Sequence, residues 1–84
     1  MILNVKSYSL LNEIDLSKNE MRLVLLLSDN EYHSAKECLD YIGIYSHAKL
    51  YSLINKINKI NKKELITHKK RIGYRIKEKI KIDH

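Results

Sequence analysis

The stretch from Ser46 to Ile76 constrains the fold more than any other part of this chain. Leu50, Leu53, Ile54, Ile57 and Ile60 recur at three- and four-residue steps, which predicts a helix from Ser46 to about Asn61 with a single buried stripe. The period then changes to two. Leu65-Ile66-Thr67 reads as one strand. Ile72, Tyr74 and Ile76, alternating with Gly73, Arg75 and Lys77, read as a second, with His68 to Arg71 as the tip between them. A long amphipathic helix running straight into a hairpin leaves few architectures open. Both elements are basic: Lys49, Ser52, Lys56, Lys59 and Lys63 fall opposite the apolar stripe, with Asn55 and Asn58 beside them, and Lys69, Lys70 and Arg71 crowd the tip.

Two shorter helices are predicted upstream. Ser17-Lys18-Asn19-Glu20 and Ser34-Ala35-Lys36-Glu37 are both capping boxes, in which a serine hydroxyl and a glutamate carboxylate satisfy the free N–H groups of a helix start. The first helix runs from Lys18 to about Leu27. It is rich in apolar positions (Met21, Leu23, Val24, Leu25, Leu26, Leu27) and is expected to be central. The second buries Cys38, Leu39 and Ile42 and stops at Gly43. Asp29-Asn30-Glu31 is the turn between them. Before Leu16 the alternation is loose, and two or three short strands are expected, with turns near Lys6-Ser7 and Asn12-Glu13. The predicted order is strands, helix, helix, helix, hairpin. A short helix followed by a longer basic one is a helix-turn-helix, and the hairpin gives it a wing, so the expected class is an α+β winged helix over residues 1–77. Residues 78–84 form a basic tail, expected to extend the last strand or to fray.

Charge sharpens the functional expectation. Residues 1–46 hold four Lys/Arg against seven Asp/Glu, a net −3; residues 47–84 hold twelve against three, a net +9. A genomic bias toward Lys, Asn and Ile accounts for abundant lysine but not for its confinement to one half. The asymmetry points to a polyanionic partner, nucleic acid or an anionic surface. The apolar edge of the basic helix is needed for the core, so membrane binding is not expected, and the longest apolar run, Leu23 to Leu27, falls far short of the roughly 20 residues a span requires. A single cysteine and no signal-peptide pattern suggest the cytosol.

Enzymatic chemistry is not expected. His33, His47, His68 and His84 show no metal-ligand spacing with Cys38. Ser46-His47 lacks a nucleophile elbow, and there is no glycine-rich phosphate loop. Glu37 and Asp40 read as surface charges, and Cys38 as a packed small hydrophobe. No catalytic residue, metal or cofactor is expected.

Three stretches carry a family resemblance. Leu16-Ser17-Lys18-Asn19-Glu20-Met21-Arg22-Leu23 is similar to a Leu-Thr-x-x-Glu-x-x-Leu helix opening. His33-Ser34-Ala35-Lys36-Glu37-Cys38-Leu39 is similar to a Ser-Arg-Glu-x-Leu second helix. Arg71-Ile72-Gly73-Tyr74-Arg75-Ile76 is similar to a Gly-x-Gly-Tyr-Arg-Leu strand. In this order, from about Ile2 to Ile76, they resemble the DNA-binding effector domain of OmpR/PhoB response regulators. Arg71 stands where that family has its first wing glycine. The loop Gly43–Tyr45 is short, so the family's contact with RNA polymerase there is not carried over. There is no receiver domain or phosphoacceptor pocket, and the expectation is a stand-alone regulator or the effector domain cut from a longer one.

The resemblance implies a recognition helix, about residues 46–61, in the major groove, where donor and acceptor patterns distinguish base pairs. It implies base contacts from Ser52, Asn55, Lys56 and Lys59, and backbone contacts from Ser46, His47, Lys49, Tyr51, Asn58 and Lys63. It further implies a wing of Lys69, Lys70 and Arg71 at the minor groove or backbone, with Arg71 suited to a narrow groove. Asparagine costs a helix up to about 0.7 kcal/mol against alanine. Asn55, Asn58 and Asn61 therefore either face nucleic acid or reflect codon bias. Lysine is a flexible point charge, so backbone attraction should exceed base readout. The expected function is duplex-DNA binding by a cytoplasmic, nucleoid-associated transcriptional regulator, with a second copy on repeated half-sites. The alternative is a winged-helix interaction module that docks on an acidic protein. Structured RNA is disfavoured, because no aromatic cluster accompanies the basic residues.

Overall fold

Each helix starts where a serine can take its free N–H groups. A computed structural model describes residues 2–10, 14–60 and 64–83. In it α1 spans Lys18–Leu27 and α2 spans Ala35–Ile42, and both open with complete capping boxes, Ser17 with Glu20 and Ser34 with Glu37. α3 spans His47–Ile60, and its Ser46 hydroxyl accepts from the Lys49 N–H at 3.3 Å. α2 ends at Gly43, whose φ of 83° is the left-handed stop a side chain would resist. The Arg22 guanidinium donates to the Ile42 carbonyl at 3.3 Å, covering an orphan acceptor at the same end.

Two small sheets flank the helices. β1 (Ile2–Asn4), β2 (Ser9–Leu10) and β3 (Ile14–Asp15) pair antiparallel in sequence order. Asn4 closes the first turn by accepting from the N–H groups of Lys6 and Ser7 at 3.1 Å each. β4 (Ile66–Lys69) and β5 (Gly73–Ile76) form an antiparallel hairpin, with Ile66 opposite Ile76 and Lys69 opposite Gly73. The molecule is thus a small α+β fold of three helices and two sheets, the second a hairpin-like pair near the C-terminus.

Two details depart from expectation. The tip is Lys70–Ile72 rather than His68–Arg71: β4 runs on to Lys69, and the Ile72 N–H closes the turn on the Lys69 carbonyl at 3.0 Å. Ile72, expected in the strand, therefore lies exposed in the turn. The segment expected to extend the last strand or fray does neither. Its Lys81–Asp83 forms β6, parallel to β1 with Leu3 opposite Ile82, giving the sheet order β3-β2-β1-β6. Ile80 packs against the core on the way. The turn expected at Asn12-Glu13 lies outside the described residues.

One core joins all the layers. Leu3 and Leu10 of the first sheet, Leu23, Val24 and Leu27 of α1, Cys38 and Ile42 of α2, Leu50 and Ile57 of α3, Leu65 just before β4, and Tyr74 and Ile76 of β5 are all nearly inaccessible. Each such aliphatic side chain contributes about 1.5–3 kcal/mol on burial. Burial also pushes the Cys38 thiol up to about 11, so it packs as a neutral thiol. Among the described residues no helix is long and apolar enough to cross a membrane.

Candidate functional site

The apolar stripe decides which way α3 faces. With Leu50, Ile54 and Ile57 pinned in the core, His47, Lys49, Tyr51, Ser52, Asn55, Lys56 and Lys59 are left exposed, while Ser46 is half-buried at the cap. Ser52, Asn55, Lys56 and Lys59 therefore share the solvent side of one helix, as their spacing required. Lys63 and Asn61 lie outside the described residues.

Two members of the expected set have work inside the protein. Asn58 is half-buried and turned toward the hairpin. Its Oδ1 accepts from the Leu65 and Ile66 N–H groups at 2.9 Å each, and its Nδ2 donates to the Ile66 carbonyl at 3.2 Å. The carboxamide, expected at the DNA backbone, is engaged within the protein as the splice between α3 and β4, and buried backbone groups need such a partner. The splice also supplies a structural reason for a poor helix former at this position.

Lys56 is two-sided. Its ammonium lies 3.8 Å from Glu20 Oε1 while its side chain remains 65% exposed. Glu20 is only 2% exposed; its Oε1 accepts from the Ser17 N–H at 3.0 Å, and its Oε2 has no protein partner. A buried carboxylate needs compensation, and Lys56 supplies part of it. The sequence marked Glu20 as a capping residue but gave no sign that it would be buried against α3.

The hairpin is locked to the start of α2 by its backbone. His33 and Tyr74 exchange N–H···O bonds of 2.9 and 2.8 Å, an isolated antiparallel bridge. The close approach requires Gly73: its φ is 138°, and a Cβ there would run into the His33 carbonyl. The His33 ring sits between Asp29, at 2.8 Å, and Glu37, at 3.0 Å. Burial opposes charging of the imidazole, but hydrogen bonds to Glu37 and Asp29 and their charges outweigh it and raise the His33 pKa. The four-residue spacing of Asp29, His33 and Glu37 is the sequence signal that could have found this trio.

Aromatic side chains line the seam between α3 and the hairpin. Tyr51 meets Tyr74 edge to face with centroids 6.5 Å apart, and His68 stacks on Tyr74 at 4.6 Å. Burial first, and then the adjacent Tyr51, push the Tyr74 phenol well up, so it stays neutral. On the other side of the hairpin, Lys69 and Arg75 lie 5.9 and 5.7 Å from the centroid of Tyr32. Lys69 is thus held over a ring, while Lys70 and Arg71 stand exposed at the tip. Arg71 has φ 67°, the left-handed region that favours glycine.

Two surface depressions adjoin these elements. One, of about 290 Å³, is lined by Asn19, Ile44, Lys49, Ser52, Leu53 and Lys56. The other, of about 310 Å³, runs between the start of α2 and the hairpin tip. Among the described residues no cluster of His, Cys, Asp and Glu could hold a metal ion. No protein-family model, curated protein or solved structure matches the chain.

Proposed function

We propose that this protein is a winged helix that binds duplex DNA, with α3 in the major groove and the β4–β5 tip against the neighbouring backbone or minor groove, and that it regulates transcription. One observation carries the reading. Lys49, Lys56 and Lys59 stand exposed on α3 and Lys70 and Arg71 at the hairpin tip, with no acidic residue within α3 or the hairpin; Lys77 pairs with Glu64 at 3.6 Å, and Lys69 and Arg75 lie over Tyr32 on the hairpin's other side. The Asn58 splice and the Tyr51–Tyr74 contact hold helix and hairpin side by side, so the cations act on one extended partner rather than two.

The expected base readers are Ser52, Asn55, Lys56 and Lys59. Lys56 reaches DNA only by leaving Glu20, so part of its contact energy is offset. Asn55 is the one exposed asparagine of α3 with a described side chain, and it can pair bidentately with adenine. Attraction to phosphates should dominate. With about six cations on phosphates, log affinity should fall against log salt with a slope near −5. A gel-shift salt series tests this, and a salt-independent affinity, or equal binding to an acidic polypeptide, would refute it. Lys56→Ala with Lys59→Ala should weaken binding about tenfold, with most of the loss common to every duplex because phosphate attraction dominates, and flatten the slope by about 2.

A further inference from the structure

The depression between the start of α1 and α3 is built differently from the rest of the basic surface. It encloses about 290 Å³, the small end of the range for ligand pockets. Asn19 stands on one side, Lys49, Ser52 and Lys56 on the other, and Ile44 and Leu53 supply its apolar part. Lys49, Ser52, Leu53 and Lys56 fall at three- and four-residue steps, so they share one stripe of α3. Ile44 and Leu53 pack against the core yet are only half-buried, which leaves apolar surface uncovered. A phosphodiester gains nothing from that surface, whereas an apolar body does.

The charges of the site select a ligand. Among the described residues no carboxylate lines the depression. The buried Glu20 offsets one of the two ammoniums, from 3.8 Å on Lys56, and so leaves a single positive charge. That separation is too long for a hydrogen bond, and the Lys56 donors remain for a second carboxylate. Lys49 and Lys56 are two helical turns apart, about 10 Å along the axis, and their flexible stems let both ammoniums reach one anion.

We propose that this depression binds an amphipathic monocarboxylate, with its carboxylate between Lys49 and Lys56 beside the Ser52 hydroxyl and its apolar body on Ile44 and Leu53, and that the bound ligand weakens DNA binding. The weakening rests on the duplex-binding reading, which gives Lys49, Ser52 and Lys56 to DNA; the ligand site does not. Ligand and duplex compete for the same ammoniums, so each lowers the other's affinity by the same factor.

The probe is 2-naphthoate. Its controls are 2-naphthamide, which lacks the charge, and acetate, which lacks the apolar body. In the wild type, NMR should show the Ile44 and Leu53 amide and methyl signals shifting with 2-naphthoate and staying still with either control at the same concentration. Asn19→Asp adds a carboxylate to the wall, and an acid in the first turn of a helix supports folding. It should weaken naphthoate binding about tenfold, with a thermal melt confirming that the variant is folded. Fluorescence anisotropy on a duplex, with ionic strength matched by acetate, reads the competition. Saturating naphthoate should weaken wild-type binding about tenfold and flatten the log–log salt slope by about 2. In Asn19→Asp, naphthoate and acetate should act on duplex binding alike.

Equal shifts from 2-naphthamide would deny the lysines a part and overturn the site. So would an absence of shifts at Ile44 and Leu53, or undiminished naphthoate binding by Asn19→Asp. Naphthoate-induced shifts with unaltered duplex binding would overturn the competition. A wild type that takes naphthoate but no duplex would refute the proposed function and uphold the ligand site. One that binds duplex but not naphthoate would refute the ligand site alone.

Discussion

The first two helices and the third start with the same device and use it differently. Ser17 and Ser34 each precede a glutamate by three residues, and each pair closes reciprocally. α3 starts on Ser46, yet Lys49 stands where the glutamate would be. A cation in the first turn opposes the helix dipole and forgoes half of a capping box, at about 0.3–1 kcal/mol. In α1 and α2 the polar residues at the start serve the helix. In α3 helix stability is surrendered for positive charge on an exposed face, which is intelligible if that face meets a polyanion. The division is not absolute, since Asn58 and Lys56 of α3 turn back toward the protein.

The largest effect expected lies where the two regions are clasped. Gly73→Ala should destabilise by about 3 kcal/mol or more, because the new Cβ meets the His33 backbone and breaks a two-bond bridge. Gly43→Ala, with a left-handed φ of 83° but open space around it, should cost only about 1 kcal/mol. Denaturant unfolding of the two variants compares them directly, and equal losses would refute the steric account of the clasp.

Next comes the residue that breaks the pattern within α3. Asn58→Ala strips partners from the N–H groups of Leu65 and Ile66, and the loss should be about 2 kcal/mol. Asn55→Ala should leave the unfolding midpoint nearly unchanged and alter the preference among duplexes. If both asparagines behaved alike, the distinction between an inward and an outward edge of α3 would fall.

Lys49→Glu sharpens the comparison at its centre. Completing the capping box should stabilise α3 by about 0.5–1 kcal/mol while weakening duplex binding severalfold. A charge reversal that left both quantities unmoved would show that the lysine has neither cost nor use. Thermal melting alongside anisotropy reads both.

The smallest effect is a pH dependence from the acidic region. His33 has a raised pKa, so its contribution is complete below the ordinary 6.5 and is lost as pH climbs through the raised value. Asp29 is buried slightly, which opposes ionisation, but the Glu31 N–H and His33 lower its pKa from 3.8. His33 and the Ser34 N–H lower that of Glu37 from 4.5. Those carboxylates contribute fully above their ordinary values and lose the contribution as pH falls through the lowered ones. The trio is therefore most stabilising between pH 4.5 and 6.5. His33→Gln should flatten the decline above that window in a series of melts, and an unchanged profile would exclude His33 as its source.

The helices were legible because their signals are local. Two Ser-x-x-Glu boxes, a glycine stop and a stripe of Leu and Ile each depend on residues within a turn or two, and the helix limits follow from them. The exposure of Ser52, Asn55 and Lys59 was legible for the same reason, since it follows from the helical period once the buried stripe is known. The hairpin was legible as a pair of strands, but its tip moved, because the position of a turn depends on which residue takes the left-handed conformation. Here that residue is Arg71, not a glycine that would have marked it.

The sequence by itself determined three helices, a terminal strand pair and a strongly basic second half. Propensity, capping and periodicity are properties of neighbours along the chain. Only the tertiary structure decided that β6 returns to β1, that Glu20 is buried under Lys56, that Asn58 bonds β4, and that Gly73 admits the His33 backbone. Each of these joins residues distant in sequence through a specific approach of atoms, and such approaches exist only after the core has packed and fixed one element against another.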